Sequence, residues 1–201
     1  MAIEVVLFDL GGVLIELGGM TEMSVFAREG EEEELWRRWL ECPWVRRFET
    51  GQCDANSFAN GMVESWSMTV EPDVFLTAFT SWPRGFYPGA REVIQSIDAN
   101  RRVACFSNTN SIHADRHTNE FGIADLFETR FFSHEMGVLK PDREAFDFVV
   151  EALGCAPEQI LFLDDNQINV SGARAAGLRA ERTCGPAEAR AILTENELLL
   201  D

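Results

Sequence analysis

The sequence predicts an α/β fold in which a doubly wound parallel sheet carries a small inserted helical segment. Three observations support this prediction. Short apolar runs resemble buried strands, helical patterns alternate with those runs, and one long stretch breaks the alternation. The chain has 201 residues, of which 46% are hydrophobic and 25% are charged. It can therefore bury one substantial core and is not of the disordered class.

The predicted strands are short apolar runs rich in β-branched residues. The first run, EVVLFDL, ends at a glycine pair, as a fully buried parallel strand does. Three similar runs and one weaker run follow it along the chain. The five runs occupy residues 4–10, 101–108, 129–134, 159–165 and, for the weaker one, 178–183.

Helical patterns lie between these runs. Residues 89–100 place Val93, Ile94 and Ile97 on one face, and a second pattern starts at Pro141, which suits a first helical turn. Strands that alternate with helices imply βαβ units with right-handed crossovers. We therefore expect a Rossmann-like core.

One stretch, residues 18–83, breaks the alternation because it reads as helical throughout. It contains a glutamate run at 29–34, which we interpret as a solvated helix start, and all five tryptophans of the chain. We assign residues 1–17 and 84–201 to the core and residues 18–83 to an inserted helical cap. The tryptophans are expected to form the core of this lobe and its seam with the main domain; the alternative is an aromatic lining for a substrate pocket. They are Trp36, Trp39, Trp44, Trp66 and Trp82.

The formal net charge of -17 limits the possible partners. Such a chain repels nucleic acid and anionic membranes, so we expect neither as a partner. An anionic substrate remains possible, because a bound metal ion and a few well-placed cations set the local field. The sequence fits a monomer or a weak homodimer equally well.

The cysteines and the hydropathy indicate the compartment. The five cysteines show no paired spacing, and an odd number leaves at least one thiol unpaired. No stretch approaches the roughly 18 apolar residues of a membrane span, and no secretory signal is evident. We expect a cytoplasmic protein.

Polar residues follow the predicted strands at the points where the strands end. Because the carboxyl ends of parallel strands meet at one edge of a sheet, these side chains should converge in one crevice. Carboxylates beside a lysine and a hydroxyl make a site for a hard cation and a phosphate. The residues are Asp9, Ser107, Asn108, Lys140, Asp164 and Asp165.

Four segments of the chain resemble, in the same order, the motifs of haloacid dehalogenase-like hydrolases. They read FDLGGVL, FSNTN, SHEMGVLKPD and FLDDNQINVSGARAAG. The resemblance is greatest to the sugar-phosphate phosphatase branch, whose helical cap is inserted after the first motif. It implies a magnesium-dependent phosphohydrolase that acts on a small phosphorylated metabolite, such as a sugar phosphate.

The resemblance also implies how the phosphoryl group is handled. Asp9 would attack phosphorus and form an aspartyl-phosphate, which water then hydrolyses. Ser107 would hydrogen-bond the phosphoryl oxygens, with the backbone or amide of Asn108 beside it. Lys140 would neutralise charge on Asp9 and on the phosphoryl group.

A magnesium site is implied in the same way. Asp165 would hold Mg²⁺ directly, and Asp164 would be a second ligand or a support for the first. Asp9 would contribute a carboxylate oxygen, and Gly11 its backbone carbonyl. The ion would screen the repulsion between the nucleophile and the phosphate.

Gly11 departs from the family pattern, which has a second aspartate two residues after the nucleophile. That aspartate protonates the leaving group and then activates water, and such assistance is typically worth about 10²- to 10⁴-fold. His113, Glu49 and Asp54 are possible replacements, and the sequence leaves the choice open. A leaving group of low pKa, such as that of a sugar 1-phosphate, would need the acid less.

Two alternatives to a phosphatase remain. In a 2-haloacid dehalogenase the aspartate attacks carbon, so Gly11 would be acceptable, but the pair Asp164 and Asp165 is not expected there. A non-catalytic binding or regulatory module would also explain Gly11. The intact set of Asp9, Lys140 and Asp165 counts against that reading.

Overall fold

The computed structural model describes residues 2–18 and 32–200. Five of the strands in these residues form a parallel sheet in the order β5-β4-β1-β6-β7, and β2 and β3 form an antiparallel ribbon. Each sheet strand lies inside one of the five predicted runs, which confirms the doubly wound α/β fold class. The strands are β1 (Val5–Phe8), β2 (Ile15–Leu17), β3 (Pro83–Phe86), β4 (Arg102–Ser107), β5 (Thr129–Phe132), β6 (Ile160–Asp164) and β7 (Arg179–Arg182).

Helices connect these strands. In chain order they are α1 (Glu32–Glu41), α2 (Pro43–Glu49), α3 (Ala55–Ser65), α4 (Pro72–Thr80), α5 (Ala90–Gln95), α6 (Ser111–Asp115), α7 (Ser133–Met136), α8 (Arg143–Leu153), α9 (Gln167–Ala175) and α10 (Gly185–Glu195). One π-helical turn, Arg116–Glu120, follows α6 directly. None of the helices in the described part of the chain is long and apolar enough to cross a lipid bilayer.

The sheet is packed on both faces. Val6 and Phe8 of β1 point into one apolar cluster, which includes side chains of α5 and α10. Val5 and Leu7 point into the other, which includes side chains of α8 and α9. Successive residues of a strand face opposite sides, so a strand buried on both faces reads as a continuous apolar run. That is why EVVLFDL carries no alternation.

The topology places a crevice above β1. This strand pairs with β4 on one side and with β6 on the other, and Phe8 is level with Cys105 and with Leu163. After β1, the chain adds β4 and then β5 on one side of this strand. It then adds β6 and β7 on the other side. The order therefore reverses at β1, which is where open parallel sheets bind their ligands.

In the sequence, helices α1–α4 come between β2 and β3, the two strands of the ribbon. These helices have an apolar cluster of their own. Its buried members include Trp39, Phe48, Phe58 and Phe79. We propose that residues 18–83 are the cap and that residues 1–17 and 84–201 are the core. The ribbon joins the two, and β3 begins at Pro83.

Local details differ from the sequence-based expectations. The helix expected over 89–100 ends at Gln95, because Ile97 forms a β-bridge with Leu199 and so leaves the helical path. The helix after Pro141 begins only at Arg143. Residues 29–31 of the glutamate run lie outside the described residues. All five cysteines are free.

Candidate active site

The predicted site residues meet at the carboxyl end of the sheet. A cavity of about 750 Å³ opens there between the sheet and helices α1 and α4, and Asp164 lies directly behind its wall. Asp9 follows β1, Ser107 ends β4, Asp165 follows β6, and Lys140 comes from the loop before α8. Six of the seven predicted residues line the cavity, namely Asp9, Gly11, Ser107, Asn108, Lys140 and Asp165.

Lys140 is the buried cation of the site. Its Nζ atom lies 3.0 Å from Asp9 Oδ1 and 2.7 Å from Asp164 Oδ2, and it donates a hydrogen bond to the Phe106 carbonyl at 3.0 Å. Burial lowers the pKa of Lys140, but Asp164 and Asp9 outweigh that effect, so the pKa lies above its usual value. The ammonium group therefore stays charged although only 1% of the side chain is exposed.

Three carboxylates crowd around this one lysine. Asp9, Asp164 and Asp165 each offer an oxygen within 4.8 Å of the others. Burial raises the pKa of Asp9 to about 8, with Asp164 and Asp165 adding to the rise and Lys140 opposing it. Burial and the neighbouring Asp164 raise the pKa of Asp165 to about 6. The cluster has more negative charge than Lys140 can balance, and its hard oxygen donors fit a divalent cation such as magnesium.

Asp164 and Asp165 have different surroundings. Asp164 is fully buried, and its oxygens accept hydrogen bonds from the Asn166 N–H at 2.8 Å and from Asn169 Nδ2 at 3.1 Å. Asp165 faces the cavity. Asp164 thus anchors Lys140 and the start of α9, while Asp165 remains open to a ligand.

The loop after β4 is fixed by side chains. Asn108 Nδ2 donates to the Lys140 carbonyl at 2.8 Å, and the Lys140 N–H donates to Asn108 Oδ1 at 2.9 Å. The Ser133 hydroxyl accepts from the Thr109 N–H and donates to the Thr109 carbonyl, both at 2.9 Å. Because the amide of Asn108 is engaged in this way, its backbone is the part left to meet a phosphate beside Ser107.

Two glycines bring these groups together: Gly12, which was not predicted from the sequence, and Gly172, whose place in the fourth motif suits close packing. Gly12 has a φ of +70°, and a Cβ there would lie 2.1 Å from Asp165 Oδ2. A Cβ on Gly172 would lie 2.9 Å from the Pro141 carbonyl oxygen and 3.0 Å from Phe146. The sequence signal for the contact of Gly12 was its place as the second glycine of the GG pair. The contact of Gly172 depends on the packing of α9 on the loop that carries Pro141.

Aromatic side chains form the cap side of the cavity. Trp36 and Trp82 stack at 5.8 Å between centroids, and both line the cavity with Trp39 and Phe79. Trp39 and Trp82 also belong to the buried cluster of the helical segment. Trp39 and Trp82 therefore belong to the core of the helical segment and also line the cavity. The two interpretations of the tryptophans, as lobe core and as pocket lining, do not exclude each other.

Glu49, the last residue of α2, also reaches the cavity. It is half-buried, and burial raises the pKa of Glu49 to about 7 against the opposing effect of Lys140. Asp54 does not line the cavity. Its side chain accepts a hydrogen bond from the Ser57 N–H at 2.7 Å and caps α3.

Two buried histidines line the far end of the cavity. His113 is engaged at both ring nitrogens, by the Phe79 carbonyl at 2.7 Å and by Asn110 at 3.2 Å. Burial lowers the pKa of His113 to about 4 and that of His117 to about 3. Among the described residues, neither ring nitrogen of His117 has a hydrogen-bond partner, and the same holds for the buried Thr109 Oγ1. His117 sits in the π-helical turn, a local structure that often marks functional sites.

The chain is similar to enzymes of two chemistries. A phosphatase of Mycobacterium tuberculosis is 27% identical over 191 residues, which cover 90% of this chain and 87% of that protein. An (S)-2-haloacid dehalogenase of Xanthobacter autotrophicus is 26% identical over 192 residues, which cover 90% of this chain and 74% of that protein.

The same similarity appears among solved structures. A haloacid dehalogenase (HAD) family enzyme of Bacteroides thetaiotaomicron, in complex with magnesium and inorganic phosphate, is 26% identical to this chain. The TM-score is 0.73, and the match covers 90% of this chain and 94% of that one. A family model described as haloacid dehalogenase-like hydrolase matches residues 3–177. On this match and on the fold, the chain belongs to the haloacid dehalogenase-like hydrolases.

Proposed function

We propose that this hydrolase is a magnesium-dependent phosphomonoesterase that works through an aspartyl-phosphate on Asp9. The observation that carries the proposal is the cluster of Asp9, Asp164 and Asp165 around the buried Lys140. Three carboxylates with one ammonium group need a further positive charge. A divalent cation supplies that charge and can share it with a phosphate dianion.

Asp9 and Asp165 would hold the metal ion, with the Gly11 carbonyl as a third protein oxygen. Asp164 would be a further ligand or would orient the others, and its bonds to Lys140 and Asn169 favour the orienting role. When bound, the ion reduces the repulsion between an anionic nucleophile and an anionic substrate. The converging oxygens fit this role because magnesium prefers hard oxygen ligands.

The remaining chemistry belongs to the chain's own side chains. The Asp9 carboxylate is oriented by Lys140 and by the Leu10 N–H, which donates to Oδ1 at 2.7 Å. Asp9 attacks phosphorus, the bond to the leaving group breaks, and water later cleaves the aspartyl-phosphate and releases inorganic phosphate. The Ser107 hydroxyl and the backbone of Asn108 hold the phosphoryl oxygens, while Lys140 balances their charge.

Dehalogenation is the second candidate, because the chain is as similar to a dehalogenase as to a phosphatase. Attack on the carbon of a 2-haloacid needs no metal ion. Its substrate is an anion that would enter beside Asp165 and Asp164, in a cavity that offers Lys140 and Arg182 to balance the charge of these carboxylates and of the substrate. The acidic cluster therefore supports the phosphatase, and the intact Asp9 and Lys140 pair argues against a purely binding role.

The walls of the cavity support a small substrate whose organic part is a sugar or a polyol. The rings of Trp36 and Trp82 offer flat apolar surfaces for C–H faces, and the unpartnered His117 and Thr109 offer hydrogen bonds to hydroxyl groups. Burial keeps His117 neutral, which suits an uncharged polar group. A sugar or polyol phosphate combines these features.

The test is product release from a panel of hexose and polyol phosphates, p-nitrophenyl phosphate and 2-chloropropionate, with and without magnesium. We expect phosphate release that requires magnesium and that is lost in Asp9→Asn. Asp147→Asn is the matched control, because Asp147 is an exposed helix carboxylate paired with Arg143. Magnesium-independent chloride release would establish the dehalogenase instead, and no turnover of any compound would indicate a binding module.

A further inference from the structure

The proposed phosphatase lacks the acid that its chemistry needs. An alkyl phosphate leaves as an alcohol only if its bridging oxygen gains a proton, and the second step needs a base that takes a proton from water. Gly11 occupies the position from which the family supplies both. The following inference rests on the proposed function and concerns the group that replaces this acid.

The groups that could move a proton are limited to those lining the cavity. Among the described residues, the titratable side chains are Asp9, Glu49, His113, His117, Lys140, Asp165 and Arg182. Asp9 is the nucleophile and Asp165 the metal ligand in the proposed mechanism. Lys140 holds two carboxylates, and both nitrogens of His113 are engaged. A guanidinium does not give up a proton in proteins, which excludes Arg182, so among the described residues only Glu49 and His117 are left as candidate acids.

His117 is unsuited to the role because it is neutral at physiological pH, so it has no proton to give as an imidazolium. It also lies at the aromatic end of the cavity, where Phe121 packs at 6.0 Å from its ring. Glu49 lines both this cavity and a smaller one of about 270 Å³ beside it, and Lys140 and Asn108 line both as well. Glu49 therefore stands at the phosphate end of the site.

The backbone around Glu49 is held against the core. Arg46, one turn earlier on α2, forms a salt bridge with Asp142. At Gly51 the chain runs so close to α7 that an added Cβ would collide with the His134 carbonyl oxygen. The Thr50 hydroxyl donates to the Arg46 carbonyl at 2.8 Å and closes the end of α2. These contacts fix the point from which the Glu49 side chain enters the cavity.

We propose that Glu49 is the general acid and base of the reaction. In the first step the protonated Glu49 carboxyl gives its proton to the leaving-group oxygen as the P–O bond breaks and the Asp9–P bond forms. In the second step the Glu49 carboxylate takes a proton from water as the water oxygen attacks phosphorus and the Asp9–P bond breaks. Phosphate leaves, Asp9 is again a carboxylate, and Glu49 is again protonated.

The electrostatic setting of Glu49 supports this assignment. Lys140 of the core, Arg46 of the same helix, and Arg37 and Glu41 of α1 line the smaller cavity together with Glu49. Asp9 and Asp165 line the larger cavity with it. Burial raises the pKa of Glu49 to about 7, so both protonation states are accessible near neutral pH.

The experiment compares Glu49→Gln with the native chain on two substrates that differ in leaving group, both with magnesium. For an alkyl phosphate, kcat/KM is expected to fall by about 10²- to 10⁴-fold. For p-nitrophenyl phosphate, whose leaving group needs no proton, we expect kcat/KM to change by less than a factor of about 10. A burst of p-nitrophenolate should precede slow turnover, because the second step has lost its base.

The pH profile gives an independent readout. For the alkyl phosphate, kcat/KM of the native enzyme should fall as the pH rises above about 7, the value to which burial raises the pKa of Glu49. This limb should be absent for p-nitrophenyl phosphate and in Glu49→Gln. Asp147→Asn is again the control, since the exposed carboxylate of Asp147 pairs with Arg143 and lines neither cavity. It should behave as the native chain.

Equal losses on both substrates would overturn the proposal and make Glu49 a residue that only positions the phosphate, and no loss on either would also overturn it. Thermal unfolding of each variant separates both results from a failure to fold. Asp9→Asn keeps the two proposals distinct. If that variant retains turnover, the aspartyl-phosphate mechanism fails, whatever Glu49 does.

Discussion

Asn108 and Lys140 are joined by two hydrogen bonds between the side-chain amide of Asn108 and the backbone N–H and carbonyl groups of Lys140. The pair ties the end of β4 to the loop that carries the buried ammonium group. The position of the Lys140 Nζ atom, and with it the orientation of Asp9, therefore depends on an amide 32 residues away in the sequence.

Replacing Asn108 with alanine removes both bonds and frees this loop. We expect turnover to fall about 10²-fold, because a small displacement of a catalytic group has that effect, and the free energy of unfolding to fall by about 2 kcal/mol. Steady-state kinetics and urea unfolding measure the two effects. Asn60→Ala, which removes one exposed side-chain bond to the Asn56 carbonyl, is the control. Native turnover in Asn108→Ala would mean that the Lys140 loop is held by other contacts.

Gly12 should tolerate no side chain, because a Cβ would collide with the Asp165 carboxylate. For Gly12→Ala we expect a loss of about 2–4 kcal/mol in unfolding free energy, together with loss of magnesium binding measured by calorimetry. Gly154→Ala is the matched control. Gly154 has a φ of +67° but nothing within 4 Å of an added Cβ, so only the backbone cost of about 1 kcal/mol should appear. Similar losses in the two variants would show that the contact with Asp165 is unimportant.

Metal-free protein should lose stability as the pH rises from about 6.5 to about 8, because below that range the buried His113 and His117, whose pKa values are lowered, have the opposite effect. Asp9 and Asp165 have folded-state pKa values of about 8 and about 6 against an ordinary value of 3.8. The folded state therefore binds protons more tightly, and stability is lost as the pH rises through those values, by up to about 1.4 kcal/mol per pH unit for each proton. Thermal unfolding in a chelator measures the slope, and Asp9→Asn should flatten it. A free energy of unfolding that stays constant over this pH range would contradict the raised pKa values of the carboxylate cluster.

Magnesium should reverse that loss, because it binds the ionised cluster of the folded chain. At a concentration about 100 times its dissociation constant, it should add about 2.7 kcal/mol of stability. The gain is measured as a rise in the unfolding midpoint at pH 8. We expect Asp165→Asn to lose it and Asp147→Asn to keep it. An equal gain in Asp165→Asn would place the ion elsewhere.

His117→Phe should separate stability from recognition. The ring has no partner among the described residues, so its replacement should leave stability unchanged or raise it by about 1 kcal/mol. KM for a polyol phosphate should rise, while KM for phenyl phosphate should stay the same or fall. Equal changes for the two substrates would indicate that His117 only fills space.

The sequence was most informative where local pattern and topology coincide. Asp9, Ser107 and Asp165 could be assigned to one crevice because each follows an apolar run, and parallel strands end at a common edge. Nothing in the sequence around Asn108 shows that its side-chain amide bonds to the backbone of Lys140 and not to a ligand. Such a contact depends on the packing of two distant loops.

Residues of the helical segment were the hardest to place for the same reason. Glu49 and Asp54 are both acidic residues near the end of a helix, and the sequence offers no basis for choosing between them. The structure distinguishes them because α2 is held against the core while Asp54 caps its own helix. The early end of the helix after Gly89 likewise depends on the bridge between Ile97 and Leu199, which are far apart in the sequence.

The separate apolar cluster of α1–α4 bears on how such an enzyme could change its substrate. The buried side chains of this lobe belong to neither of the two core clusters, so we expect that another lobe could replace it without repacking either face of the sheet. The exchange would also remove Glu49, so a chimaera with a foreign lobe would bind a new ester but hold its leaving group unprotonated. Under the proposed role of Glu49, a change of substrate by exchange of this lobe would have to keep an acid at that place or restore one at position 11.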